Sequence, residues 1–145
     1  MSRGDGMEQV TIVARLDKAR SEVGVNEGGR WVVRKRTATY SADDGAGLVP
    51  FVSCLEESVE DLRVTLAAGI ARCGLDVSLL ESFPFSDIAA EGISSRSPKW
   101  ISLAVAWLDG VRLSERLVGA LTQLIQRREG TQRERQQAWR RLQKG

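Results

Sequence analysis

The spacing of apolar residues changes once along this chain, near residue 50, and that change sets the fold class. Before it, β-branched residues crowd into short segments at a period of two, as a strand with one buried face requires. After it, apolar residues recur every three or four positions, as amphipathic helices require. Strands first and helices afterwards make an α+β chain rather than an α/β one. At 145 residues, a single domain over 1–145 is expected, large enough to bury a core without staples.

The β-rich part covers residues 9–40, after a Gly-rich, polar stretch over 1–8 that reads as a flexible N-terminus. Val10, Ile12, Ala14 and Leu16 alternate onto one face of a first strand. Asp17 to Glu22 suits either a helical turn or an extension of that strand. Val23 to Val25 and Arg30 to Val33 flank Asn26-Glu27-Gly28-Gly29, the pattern of a hairpin with positive-φ residues in its turn. The second arm runs on to Tyr40, with Trp31 and Val33 on one face and Val32, Ala38 and Tyr40 on the other. These segments predict a small N-terminal antiparallel β-sheet of two to three strands, packed with a C-terminal bundle of three to five helices. Ser41 to Pro50, with Asp43-Asp44-Gly45, reads as a loop.

The helical part covers 53–128. Ser53-Cys54-Leu55-Glu56 fits a capping box. Leu55, Val59, Leu62, Leu66, Ile70 and Cys73 then form one stripe, which places Leu62 and Leu66 in the core. Gly74 is suited to a left-handed residue that ends the helix. Cys54 and Cys73 at opposite ends of that helix would stand roughly 28 Å apart, too far for a disulfide. Leu75 to Ile93 predicts short helical turns broken at Pro84 and Gly92. Ser97 and Pro98 open a further helix, running to Asp109 and apolar on nearly every side. Such a helix should be buried all round, and a second subunit can supply the burial. Leu113, Leu117, Ala120, Leu121 and Leu124 mark another helix, and Thr131 with Glu134 caps a basic last helix over 131–143.

Chemistry is constrained mainly by what is missing. The sequence has no histidine, which removes the commonest general base and metal ligand together with the Ser-His-Asp and Cys-His arrangements. No glycine-rich phosphate loop, Walker loop or zinc spacing occurs, so neither a cofactor nor a metal is expected. A helix-turn-helix around Ala106 and Gly110 fails, because Arg112 and Arg116 fall where apolar residues are wanted. Glu56, Glu57, Glu60 and Asp61 give i,i+4 carboxylate pairs, better explained by the positive end of a helix than by a cation site. The tripeptide Arg3-Gly4-Asp5 is best read as chance.

The chain carries +2 overall, but residues Arg127 to Gly145 hold seven basic groups against Glu129 and Glu134. Arg133, Arg135, Arg140 and Arg141 around Trp139 are candidate contacts to phosphates, with the indole free to stack on a base. The plain alternative is a solvated helix with Trp139 and Leu142 docked on the body. Arg34 and Arg36, read as sharing a strand face, are candidate contacts of the same kind or an edge charged against aggregation. Trp100, Leu103 and Trp107 are candidate residues of a homo-oligomer interface. The expected function is a non-catalytic protein-interaction or regulatory module that associates with itself or another protein. A nucleic-acid-associated protein is the alternative, and an enzyme using carboxylates or Cys54 comes third. The longest apolar stretch, Trp100 to Leu108, is far short of the roughly 20 residues of a membrane span. No secretory pattern opens the chain, so a cytoplasmic location without membrane contact is the simplest expectation.

Overall fold

A computed structural model describes residues 9–42 and 47–145. The segment 1–8 expected to be flexible, its Arg3-Gly4-Asp5, and the loop residues Asp43-Asp44-Gly45 lie outside the described residues. The class is α+β, with a four-stranded antiparallel sheet followed by helices. Among the described residues, no helix is long and apolar enough to cross a membrane. The chain divides into two compact units, one ending at Phe83 and one running from Pro84 to Gly145.

In the first unit, β1 (Val10–Leu16), β2 (Ser21–Asn26), β3 (Trp31–Lys35) and β4 (Ala38–Ser41) lie side by side in chain order. Ser21 and Glu22 extend β2 rather than β1, opposite Leu16 and Arg15. A fourth strand exists because the expected long arm breaks at Arg36-Thr37, a two-residue turn with Lys35 opposite Ala38. Arg36 takes φ +54 there, a left-handed conformation usually supplied by Gly or Asn, so the sequence carries no turn signal. Folding back pairs Val33 with Tyr40, which moves Tyr40 onto the face of Trp31 and Val33 and away from Val32. The alternation in β1 also fails once. A bulge between Ile12 and Ala14 inserts Val13, so Val13, Ala14 and Leu16 are buried while Ile12 is only half-buried.

The helix expected from Ser53 begins five residues later. Val49–Glu56 is a 3₁₀ helix, and α1 spans Val59–Arg72 with Ser58 as its N-cap. Ser58 is extended and exposed, and its hydroxyl accepts the Asp61 N–H at 3.1 Å. The Ser53 hydroxyl is instead buried without a hydrogen-bond partner, so the capping box proposed there does not form. Two consequences follow. Cys54 and Cys73 are not the ends of one helix, although both thiols are free. Glu56 and Glu60 likewise do not share a helix. Leu62 and Leu66 are core residues, as the stripe implies.

α1 ends at Gly74, whose φ of +69 lets its own N–H reach the Ala71 carbonyl and that of Leu75 reach Ile70. It packs on β1 at Gly69, where an added Cβ would lie 2.8 Å from the carbonyl carbon and Cγ1 of Val13. Arg72 Nη2 donates to the Val13 carbonyl at 3.0 Å beside this contact. The short helix α2 (Leu79–Ser82) then receives the Trp31 indole N–H, at 3.1 Å to the Leu79 carbonyl and 3.0 Å to Ser82 Oγ. The Trp31 ring meets Phe83 edge-on, with centroids 5.0 Å apart, and Phe83 in turn meets Phe51.

In the second unit, α3 (Phe85–Ser94), α4 (Pro98–Ala106), α5 (Glu115–Gln126) and α6 (Gln132–Lys144) form two helical hairpins. The first helices of the two hairpins pack together, α3 on α5, and the second helices meet as well, α4 on α6. Neighbouring repeats of an α-solenoid stack in this way. Gly92 does not break α3; it is buried inside it. Ser97 caps α4 behind Pro98, and Thr131 with Glu134 forms both halves of the capping box of α6. Arg96 and Arg128, each just past the end of the first helix of a hairpin, take φ +64 and +55. The Arg96 side chain pairs with Glu129 at 3.3 Å, tying one hairpin turn to the other.

Candidate functional site

α4 is not buried on every side, contrary to its composition. Ile101, Ala104 and Val105 face inward, Ser102 and Ala106 are exposed, and Trp100 and Leu103 are half-buried. Trp107 is 1% exposed within the single chain and packs near Phe85, with ring centroids 6.1 Å apart. It is therefore a core residue and cannot present an interface, which leaves Trp100 and Leu103 from that proposed set. An apolar helix can hide its surplus in its own unit, and here the α3 side takes Trp107.

The basic last helix separates into two kinds of arginine. Arg135 donates from Nη1 to the carbonyls of Arg128, Glu129 and Gly130, at 3.2, 3.2 and 2.6 Å, closing the turn after α5. Arg141 donates from Nε to Leu108 and from Nη2 to Val111, at 2.9 and 2.8 Å, fastening α6 to the turn after α4. Both were candidates for anion contact, and both hold backbone carbonyls instead. Arg133 and Arg140 are exposed. Ala138 is the buried contact of the helix, so Trp139 is turned outward.

Trp139 is 55% exposed. It stands in an open groove of about 830 Å³ between the end of α5 and the outer side of α6. Ile125 and Trp139 give the groove its apolar surface, Gln132 and Gln136 its neutral polar surface, and Arg128, Arg135 and Arg140 its charge. Among the described residues, no acidic side chain lines it. Val118, one of the few large apolar side chains exposed among the described residues, lies seven residues before Ile125 on the same side of α5. Arg128 was absent from the candidates named by sequence, although it falls within the basic run. Its place in the groove depends on how the α5–α6 turn folds.

Arg34 and Arg36 are brought together in another way. Arg34 lies on β3 beside Glu22 of β2, and Arg36 lies beyond the strand in the β3–β4 turn, so they do not share a strand face. They nevertheless line one cavity at the end of the sheet, together with Arg15 and Arg20. Arg15 and Arg20 were missed because only the strand register makes them neighbours.

Cys54 is an unpromising nucleophile. Burial pushes its thiol up to about 12, a nearby Lys35 lowers it less, and Glu57 raises it further. The thiolate is therefore scarce at neutral pH. Among the described residues, no group of three or more His, Cys, Asp or Glu side chains is placed to hold a metal ion. The chain matches no protein-family model, no curated protein and no solved structure. What the groove can do follows from its geometry alone. It can take an elongated partner whose apolar side meets Trp139 and Ile125 and whose acidic side meets the arginines.

Proposed function

We propose that this chain is a non-catalytic protein-interaction module, and that the outer face of α5–α6 receives an amphipathic helix with acidic flanks. The observation that carries this is the outward indole of Trp139 in a groove edged by arginine and, among the described residues, lined by no acid. Two stacked hairpins leave a stacking position open beyond the second, and Val118, Ile125 and Trp139 give that position an apolar strip. A partner helix would continue the stack, and its acidic residues would complement Arg128, Arg133 and Arg140. Aromatic and arginine side chains are the usual anchors of such contacts.

A second reading is a single-stranded nucleic acid, with a base stacked on Trp139 and phosphates on Arg133 and Arg140. Trp139, Arg133, Arg140 and Lys144 are all exposed on α6, which favours it. Fluorescence anisotropy of labelled probes separates the two. An acidic amphipathic peptide should bind, with Trp139→Ala weakening it by about tenfold or more, and a scrambled peptide of the same charge should not. If the peptide fails while an oligonucleotide binds with a log–log salt slope of about −2 or steeper, the protein-interaction proposal is wrong.

A further inference from the structure

The strand order places the β1–β2 and β3–β4 turns at the same end of the sheet. Arg15, Glu22 and Arg34 are cross-strand neighbours there, in the order β1, β2, β3. Glu22 lies between the two arginines, 3.1 Å from Arg15 Nη2 and 3.6 Å from Arg34 Nη1. One carboxylate therefore orients two guanidinium groups without using all their donors, since each guanidinium carries five. Arg20 and Arg36 come from the two turns, both exposed. The four arginines border a cavity of about 400 Å³ whose acidic lining residues, among the described residues, are Asp17 and Glu22.

We propose that this arginine-ringed cavity is a binding site for a phosphate-class anion. Four guanidinium groups against two carboxylates leave an excess of two positive charges, which matches a phosphate dianion. Guanidinium forks suit phosphate oxygens geometrically, as an ammonium does not. The turn conformations support the same assignment. Arg20 and Arg36 take φ +52 and +54, where an arginine is less favourable than Gly or Asn. Arg96 has the same conformation, but its guanidinium engages Glu129. The side chains of Arg20 and Arg36 make no hydrogen bond or ion pair among the described residues, so their positions are unexplained by the fold itself.

The phosphate can belong to a small ligand or to a nucleic-acid backbone, and the test distinguishes these sources. Isothermal titration at low salt uses pyrophosphate as one probe and a single-stranded oligonucleotide as the other. The control is an Arg20→Asn, Arg36→Asn double variant, because Asn tolerates the left-handed conformation and keeps both turns. The wild type should bind at least one probe, and the double variant should bind it about tenfold more weakly or worse. Arg112→Asn, at an exposed arginine of the other unit, should leave that binding unchanged. Pyrophosphate binding without oligonucleotide binding assigns a small phosphorylated ligand; oligonucleotide binding that pyrophosphate displaces assigns a backbone phosphate. Equal binding by wild type and double variant, or no binding of either probe to the wild type, would overturn the proposal. Circular dichroism of the double variant confirms that loss of binding is not loss of fold.

Discussion

Replacing Gly69 with alanine sets two opposing effects against each other, and their magnitudes decide the sign. Gly69 lies inside α1, where alanine is favoured over glycine by about 0.8–1.0 kcal/mol of helix propensity. The new methyl, however, would sit 2.8 Å from both the carbonyl carbon and Cγ1 of Val13, and closer still to the carbonyl oxygen. The obstacle is mostly strand backbone, which cannot rotate away. The helix must therefore withdraw from β1, loosening the contacts of buried Leu66, Ile70 and Val13. Overpacking of this kind costs about 1–3 kcal/mol or more. Strain on the Arg72 hydrogen bond to Val13 adds up to about 1 kcal/mol. The net result should be a loss of about 2 kcal/mol. Gly119→Ala is the matched control: it lies in α5, is exposed, and has nothing within 4 Å of the added methyl. There the propensity gain stands alone, about 0.5–1 kcal/mol of stabilisation. Urea unfolding followed by far-ultraviolet circular dichroism measures both. A Gly69→Ala protein as stable as wild type would show that α1 does not approach the strand as closely as described, and the reasoning would fail.

Three other predictions concern single groups. The Cys54 thiol is raised from 9.0 to about 12 in the folded chain, so its contribution is fully present below about pH 9 and declines between there and about pH 12. Going from about pH 8 to about pH 10 should destabilise wild type by about 1 kcal/mol more than Cys54→Ala, measured by urea unfolding at each pH. Arg128→Gly removes a left-handed arginine from the end of α5 and should stabilise the chain by about 1 kcal/mol; destabilisation in thermal melts would contradict that account. Trp31→Phe removes the indole donor to Leu79 and Ser82 and should cost about 1–2 kcal/mol in denaturant unfolding.

Elements whose boundaries are written in local chemistry were legible in the sequence. Ser97 with Pro98, Thr131 with Glu134, and the stripe ending at Gly74 each need only a few neighbouring residues to be recognised. Two serines five positions apart were both plausible caps for α1, and tertiary burial of Ser53 chose Ser58. The β3–β4 turn was invisible because Arg36 does what Gly or Asn ordinarily does. The bulge at Val13 is a property of strand pairing and of the helix above it, which no period-two pattern reports. The candidate sites follow the same division. Trp139 stood out as an aromatic residue among arginines on a polar helix. That Arg135 and Arg141 instead hold carbonyls depends on turns that only the folded hairpins bring within reach. Arg15 and Arg20 join Arg34 and Arg36 only after three strands are in register.

The four tryptophans are unevenly shared, and this gives the chain a built-in optical readout. Trp31 stands alone before Phe83, whereas Trp100, Trp107 and Trp139 follow Pro84. Trp31 and Trp107 are buried, so each emits from an apolar setting when folded and shifts to the red on exposure to water. A chain keeping only Trp31, with phenylalanine at the other three positions, glows from the sheet-bearing unit alone. A chain keeping only Trp107 glows from the helical unit alone. Their two emission midpoints along one denaturant gradient would measure how far the folding of each unit depends on the other.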